Sequence, residues 1–372
     1  MIWLAAPALA AAAYYLLAIV AAIRWPRRSG APAPAPDPLP LSILKPVHGR
    51  DPRFYEAIRS HAEQDYPEFE MIFGVGDPND PAIADIERLR REFPQRRISL
   101  HVVRTGAANA KAGVLAELAR HASHPWMLVN DSDIRVEPGY LRDVTAPLAD
   151  ATVGLVTCLY RAAAQSWPSR AEALGIATEF APSVLVARML GQAEFALGST
   201  MVFRAHVLRE AGGFEAIADY LADDYQLGCR IFQCGYRIVF APNVVETDLG
   251  GESWTQTWKH QVRWSRTIRV SRPQGYYGYA VTHATLWSLV AFAAGDWWAG
   301  AAALGLRMIA GVWIGAGILK DRRALADAWL IPLRDLFGFA VWLAGSAGTI
   351  VEWRGEKLRL SADGKIRRAN GG

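Results

Sequence analysis

The sequence predicts an α/β domain carried between apolar helices. Three features predict it: an uncharged run at one end, a return of apolar character after Tyr276, and alternating strand-like and helix-like segments from Leu41 to about Gln274. Composition agrees. With 372 residues, 52% hydrophobic and only 20% charged, the chain is too apolar for one ordinary soluble domain and too charged for a pure membrane bundle.

Residues Ile2 to Ile23 carry no charge. About 22 residues at about 1.5 Å each reach roughly 33 Å, enough to cross a bilayer core. A secretory signal would place its positive charges before the run, whereas Arg24, Arg27 and Arg28 follow it. Residues 1–24 therefore read as an uncleaved anchor, with the N-terminus outside and the following domain in the cytosol. Residues 25–40, which include SGAPAPAPDPLP, read as an extended Pro-rich linker.

Residues 41–274 read as the α/β domain. LSILKPV and FEMIFGVG are short apolar runs bounded by turn residues, with a helical pattern over Arg53 to Gln64 between them. Asp77 falls just past the second run, where open α/β sheets bind ligands. ISLHVVR leads to GAANAKAGVLAEL, a loop opening a helix with Asn109 and Lys111 at its mouth. These two read either as an N-cap and a solvated charge or as phosphate contacts. PWMLVN delivers NDSDIRV, which sets Asp131 and Asp133 beyond another strand end.

In an extended chain residues i and i+2 face the same side, so both carboxylates of the D-S-D triplet can point into one crevice. At about 4 Å and an effective dielectric near 20 they repel by roughly 4 kcal/mol. A hard divalent cation shared with a phosphate would relieve that repulsion. A second acidic pair, Asp223 and Asp224 in DYLADDYQLG, stands at the start of a helical pattern. A helix cap is the plain reading of that pair.

SWTQTWKHQVRW places Trp254, Trp258 and Trp264 at roughly helical spacing beside Lys259, Arg263, Arg266 and Arg269. Such a helix suits a membrane interface, acceptor recognition or both. Residues 275–352 read as C-terminal transmembrane and interfacial helices: Ala280 to Gly295 and Trp297 to Leu319 are candidate spans. Leu325 to Val351 is interrupted by Pro332, Arg334 and Asp335, and is expected to be interfacial, re-entrant or a hairpin. Residues 353–372 read as a basic cytosolic tail. From Arg354 to Gly372 there are six Lys or Arg against two acids, a surplus equal to the whole chain's formal +4. The rest of the chain is neutral on balance, which argues against a nucleic-acid partner. Cys158, Cys229 and Cys234 lack zinc-ligand spacing and are expected to be reduced.

The ordered set Asp77, Asn109 and Lys111 in NAKAGVL, Asp131, GSTMVFR at Gly198, REAGGF at Arg209, ADDY at Ala222 and RW at Arg263 resembles the family-2-like glycosyltransferases. Within them it is most similar to the ceramide glucosyltransferase branch, which includes bacterial hopanoid-biosynthesis enzymes. The resemblance covers nearly the whole chain. It implies a GT-A, Rossmann-like nucleotide-sugar-binding domain in a bacterial inner membrane protein, with a UDP-sugar donor, a lipid acceptor and Mg2+ or Mn2+ as cofactor.

By that resemblance Asp77 would contact uridine, Asn109 and Lys111 would serve the nucleotide sugar, and Asp131 with Asp133 would place the metal on the diphosphate. Asp224 would be the general base, while Arg263 and Trp264 would line the diphosphate and acceptor side. Asp223 would face elsewhere, as an N-cap or a contact to substrate or metal. The family's (Q/R)-x-x-R-W element is broken here: His260 stands three residues before Arg263, and Gln261 is one place late. Either His260 replaces the usual polar contact or the register differs locally. A processive polysaccharide synthase shares the aspartate set, but few apolar spans are available for a polymer channel. A transport or scaffold protein would need ionisable groups inside its spans, for which Asp296 and Arg307 are the candidates.

Overall fold

The computed structural model describes residues 2–28, 39–192, 194–353 and 355–369; most of the Pro-rich linker lies outside them. Seven strands form the central sheet: β1 (Leu41–Val47), β2 (Phe69–Val75), β3 (Arg97–Val102), β4 (Trp126–Val129), β5 (Val153–Ala163), β6 (Met201–Arg204) and β7 (Arg237–Asp248). Their order is β3-β2-β1-β4-β6-β5-β7. All neighbours are parallel except β6, which runs antiparallel to both β4 and β5.

Every residue of β1 and of β2 is buried, as expected of parallel strands covered on both faces. The helices Phe54–Ala62 and Ala82–Glu92 turn apolar faces onto one side of the sheet. Ala110–His121, Ala205–Glu210 and Asp223–Gln233 cover the other side. The chain reverses its winding between β1 and β4, since β2 lies on one side of β1 and β4 on the other. Such a switch point opens a crevice beyond the carboxyl ends of the strands.

A separate apolar cluster joins the N-terminal helix Ile2–Arg28 to Ala181–Met189, Ala284–Ala293 and Trp297–Val312. Trp25 packs edge-on against Phe240 of β7, with 6.0 Å between ring centroids, so the end of the anchor abuts the sheet domain. Among the described residues, three segments are long and apolar enough to cross a membrane: Ala5–Trp25, Trp297–Ile318 and Ala328–Gly345. Ala284–Ala293, within the expected span Ala280 to Gly295, is shorter. At about 1.5 Å per residue it covers only about 15 Å.

The third segment satisfies length and composition, yet both of its ends are tied to the sheet domain. Before it, Arg161 donates to the Leu319 carbonyl at 3.3 Å, Arg323 to that of Ala164 at 2.7 Å, and Arg170 pairs with Asp327. After it, Arg269 donates to the Ser346 carbonyl at 2.8 Å and Arg266 to that of Ala347 at 3.0 Å. A helix that begins and ends on the same domain is poorly placed for a single crossing.

The segment expected to be a basic tail has a fold of its own. Three antiparallel strands, β8 (Ile350–Trp353), β9 (Glu356–Leu360) and β10 (Ile366–Arg368), form a second sheet. Its core of Val351, Leu358, Leu360 and Ile366 closes on Leu221, and Ile366 N–H donates to the Asp219 carbonyl at 2.8 Å. A composition rich in Lys and Arg concealed an alternating pattern, in which Leu358, Leu360 and Ile366 are buried and the charges face out.

Candidate active site

Asp131 follows β4, the strand at the switch point. Its Oδ1 lies 2.7 Å from Lys111 Nζ, and the same ammonium meets Asp223 Oδ2 at 3.1 Å. Lys111 is only 8% exposed, so it is a paired buried cation and not a solvated charge. Three carboxylates hold its proton well above the usual lysine range in spite of burial.

Asp224 stands beside this group. Its Oδ2 accepts from Gly198 N–H at 2.8 Å and its Oδ1 from Tyr225 N–H at 2.7 Å. Burial and the neighbouring Asp223 push its pKa up to about 6, against the pull of Lys111 and the two amides. The helix start therefore does not hold Asp224 at an ordinary carboxylate value. Asp223 is not the expected N-cap: Ala222 occupies that position, and the Asp223 carboxylate turns inward to Lys111.

Gly198 sits where these groups converge. A Cβ at this position would lie 3.2 Å from Asp224 Oδ2, 3.4 Å from Asp131 Oδ2 and 3.6 Å from Lys111 Nζ. A larger residue would enter the cleft itself.

Asp133 accepts from the Thr247 hydroxyl and from Asp248 N–H at 3.3 Å, which ties it to the end of β7. Burial, with Asp131 next, raises its pKa to about 6. Two carboxylates repelling each other in a partly buried crevice suit a hard divalent cation completed by phosphate oxygens and water. The site thus fits the Mg2+ or Mn2+ expected from the sequence. Lys45, inside β1, donates to the Asp131 carbonyl at 3.1 Å, and burial lowers its pKa to about 7 while Asp133 and Asp131 oppose the shift. Sequence reasoning passed over Lys45 as part of a strand. The signal was a lone lysine in an otherwise apolar run.

Asn109 takes the cap reading. Its Oδ1 accepts from Ala112 N–H at 3.1 Å as the cap of helix Ala110–His121, and its Nδ2 donates to the Tyr220 carbonyl at 2.7 Å. It has no exposure and ties that helix to the loop before Asp223. Asp77 is exposed in a turn after β2, its Oδ1 accepting from Asn79 N–H at 2.8 Å. It lies past a strand end two places from that of Asp131, roughly 10 Å away at ordinary strand spacing.

The remaining expected residues form a second cluster on the helix Trp254–Ser271. His260, Arg263 and Trp264 share one face, being three and four residues apart. His260 Nδ1 is 2.7 Å from Glu172 Oε1, and its ring lies edge-on to Trp264 at 4.6 Å. Glu252 lies beside both: burial and the charge of Glu172 raise its pKa, while His260 and Arg263 oppose them. Gln261 faces the other way and accepts from Arg334 at 2.8 Å. His260 therefore stands beside Glu172 and Trp264, and Gln261, the more buried of the two, serves as a tether to the helix Ile331–Gly345. Glu172 and Glu252 were not singled out from the sequence, where nothing in their spacing marks them. Tyr160 relates the two clusters: burial first, then Asp224, Glu172, Asp131 and Asp133, push its phenol far up.

A doubly wound sheet with acidic residues gathered at its switch point has the architecture of the GT-A fold. The sequence profile of "Glycosyl transferase family 21" matches residues 2–366, and the chain belongs to that family. Ceramide glucosyltransferase 1 of Caenorhabditis elegans is 29% identical over 190 residues, which are 50% of this chain and 40% of that protein. Ceramide glucosyltransferase 3 of the same organism is 26% identical over 202 residues, 53% of this chain and 43% of that protein. The chain thus matches about two fifths of the length of these curated relatives. Among solved structures, the mannosyltransferase PcManGT from Pyrobaculum calidifontis, in complex with GDP-Man and Mn2+, shares the fold with a TM-score of 0.55 at 21% identity. That likeness covers 92% of this chain and 97% of the other.

Proposed function

We propose that the protein is a membrane-bound inverting glycosyltransferase that moves one sugar from a UDP-sugar to a hydroxyl of a lipid acceptor. The observation that carries this reading is the convergence of Asp131, Lys111 and Asp224 around Gly198, at the sheet's switch point. Asp77 is the residue for the uridine. Asp131 and Asp133 would hold Mg2+ or Mn2+, which when bound neutralises charge on the departing diphosphate. Lys111 fixes Asp131 and Asp223, and Arg263 with Trp264 lines the acceptor side.

Asp224 takes the proton from the acceptor hydroxyl as that oxygen bonds to the anomeric carbon. The bond from that carbon to the diphosphate breaks on the opposite face, and the electron pair leaves with UDP. One displacement inverts the centre, so an α-linked donor gives a β-linked product. A base with a pKa near 6 accepts a proton more readily than an ordinary aspartate and is still ionised at pH 7.

The acceptor is of the hopanoid-polyol or ceramide type, and the donor is UDP-N-acetylglucosamine or UDP-glucose, with the first of each pair preferred. The site faces the cytosol of a bacterial inner membrane, because Arg24, Arg27 and Arg28 follow the first span.

The test is UDP release by detergent-purified protein across a panel of UDP-sugars, with and without each lipid and with EDTA. Asp224→Asn is expected to bind the nucleotide as the wild type does and to lose transfer by about 10²-fold or more. Undiminished product from that variant would remove Asp224 from the base role. UDP release indifferent to added lipid would remove the acceptor class.

A further inference from the structure

Outside the acidic cleft, three ligand-type side chains from three different elements meet at one place. Glu172 comes from the helix Trp167–Gly175, Glu252 from the loop after β7, and His260 from the helix Trp254–Ser271. One nitrogen or oxygen of each lies within 4.8 Å of the others. The Glu172 side chain has no exposure, yet neither of its carboxylate oxygens makes a hydrogen bond of acceptable geometry. Glu252 Oε2 and His260 Nδ1 are likewise buried without one.

The 2.7 Å approach of His260 Nδ1 to Glu172 Oε1 sharpens the point. The two atoms are within ion-pair distance, yet no hydrogen bond joins them, which leaves both carboxylate oxygens of Glu172 open to a further partner. A fully buried carboxylate without a hydrogen-bonded partner costs several kcal/mol unless a cation meets it.

We propose that Glu172, Glu252 and His260 bind a divalent transition-metal ion, with Zn2+ as the best match to one imidazole and two carboxylates. The ion is distinct from the one expected at Asp131 and Asp133, with which it shares no ligand. It joins the sheet domain to the amphipathic helix and fixes the face that presents Arg263 and Trp264. Three protein ligands leave a coordination position for water or a substrate oxygen. Histidine in place of the family's Gln or Arg is then the substitution that supplies the nitrogen ligand.

The experiment is metal analysis of the full chain, purified in detergent and passed over a chelating resin, together with Co2+ substitution read by visible absorption. Wild type and Asp133→Asn are expected to retain about one ion per chain and to show a Co2+ d–d band. His260→Ala and Glu172→Gln are expected to lose both. Metal content equal in wild type and His260→Ala overturns the proposal, as does loss in Asp133→Asn alone. If either ligand variant fails to fold, the wild type still decides: no retained ion and no Co2+ band leaves a protonated His–Glu pair and sinks the site. The transferase reading does not depend on this ion, since D224N and the UDP-release assay test it separately.

Discussion

At the scale of single residues, the chemistry turns on how one lysine is shared among carboxylates. Lys111 lowers the pKa of Asp224 while burial and Asp223 raise it. Under the proposed mechanism Asp224 works only when deprotonated, so turnover should fall as pH drops through about 6, by about tenfold per unit or more. Asp133 also sits at about 6 and must be ionised to hold a cation, so it acts in the same direction. Lys111→Met should move this acid limb to higher pH, because the group that favours the carboxylate is gone; a pH-rate profile of the variant measures it. Gly198→Ala should leave the fold intact and reduce transfer, since the added methyl enters the space between Asp224 and Asp131. Steady-state rates together with a thermal melt separate the two effects. Asp131, Asp133 and Asp224 stood out in the sequence because acidic pairs next to strand and helix ends are costly without a purpose, and the structure brings Asp131 and Asp224 together at Gly198. Asn109 could not be decided from sequence because a cap and a ligand contact use the same side chain at the same place.

At the scale of elements, the helix Trp254–Ser271 divides its labour by face. Trp254 and Trp258 are exposed and meet Phe337 at 5.9 and 5.7 Å. Arg266 and Arg269, which the sequence suggested as headgroup contacts, instead donate to carbonyls at the end of the helix Ile331–Gly345. That end is where unpaired carbonyls attract cations. The first four strands of the α/β domain could be read almost to the residue, because each is a short apolar run between turn residues, whereas β5, β6 and β7 were not placed. The small sheet β8–β10 could not, because its strands are amphipathic and charged, and its core partner Leu221 lies far away in sequence. Deleting residues 356–372 should lower both activity and melting temperature, since Tyr220 pairs with Lys365 and Asp219 with Ile366 just before Asp223 and Asp224. Deleting 370–372 alone is the control and should change neither.

At the scale of the whole molecule, the apolar helices are fastened by charge as well as by packing. Arg307, with no exposure, donates to Asp335 at 2.6 Å, and Thr285 donates to the other oxygen of that carboxylate at 2.8 Å. Arg334 meets Glu179 at 3.2 Å. Of the two ionisable groups that a transport reading would require, Arg307 is thus neutralised by a partner, while Asp296 stands at the turn before the helix Trp297–Val312, with no ion pair among the described residues. Arg307→Met should destabilise the protein by about 3–5 kcal/mol, because it leaves Asp335 buried and unpaired. The double change with Asp335→Leu should recover much of that loss. Denaturant or thermal unfolding in detergent reads both, and equal losses would show that the pair is not coupled.

The bond between Ile366 and Asp219 reaches across more than a hundred residues of chain. A ribosome adding about 5–20 residues per second needs on the order of ten seconds to make that stretch. During that interval the nascent protein already has its nucleotide-facing strands but lacks the brace beneath its acidic loop. The contact that steadies the loop carrying Asp219 and Tyr220 is therefore among the last to form, after every apolar helix of the chain has been made.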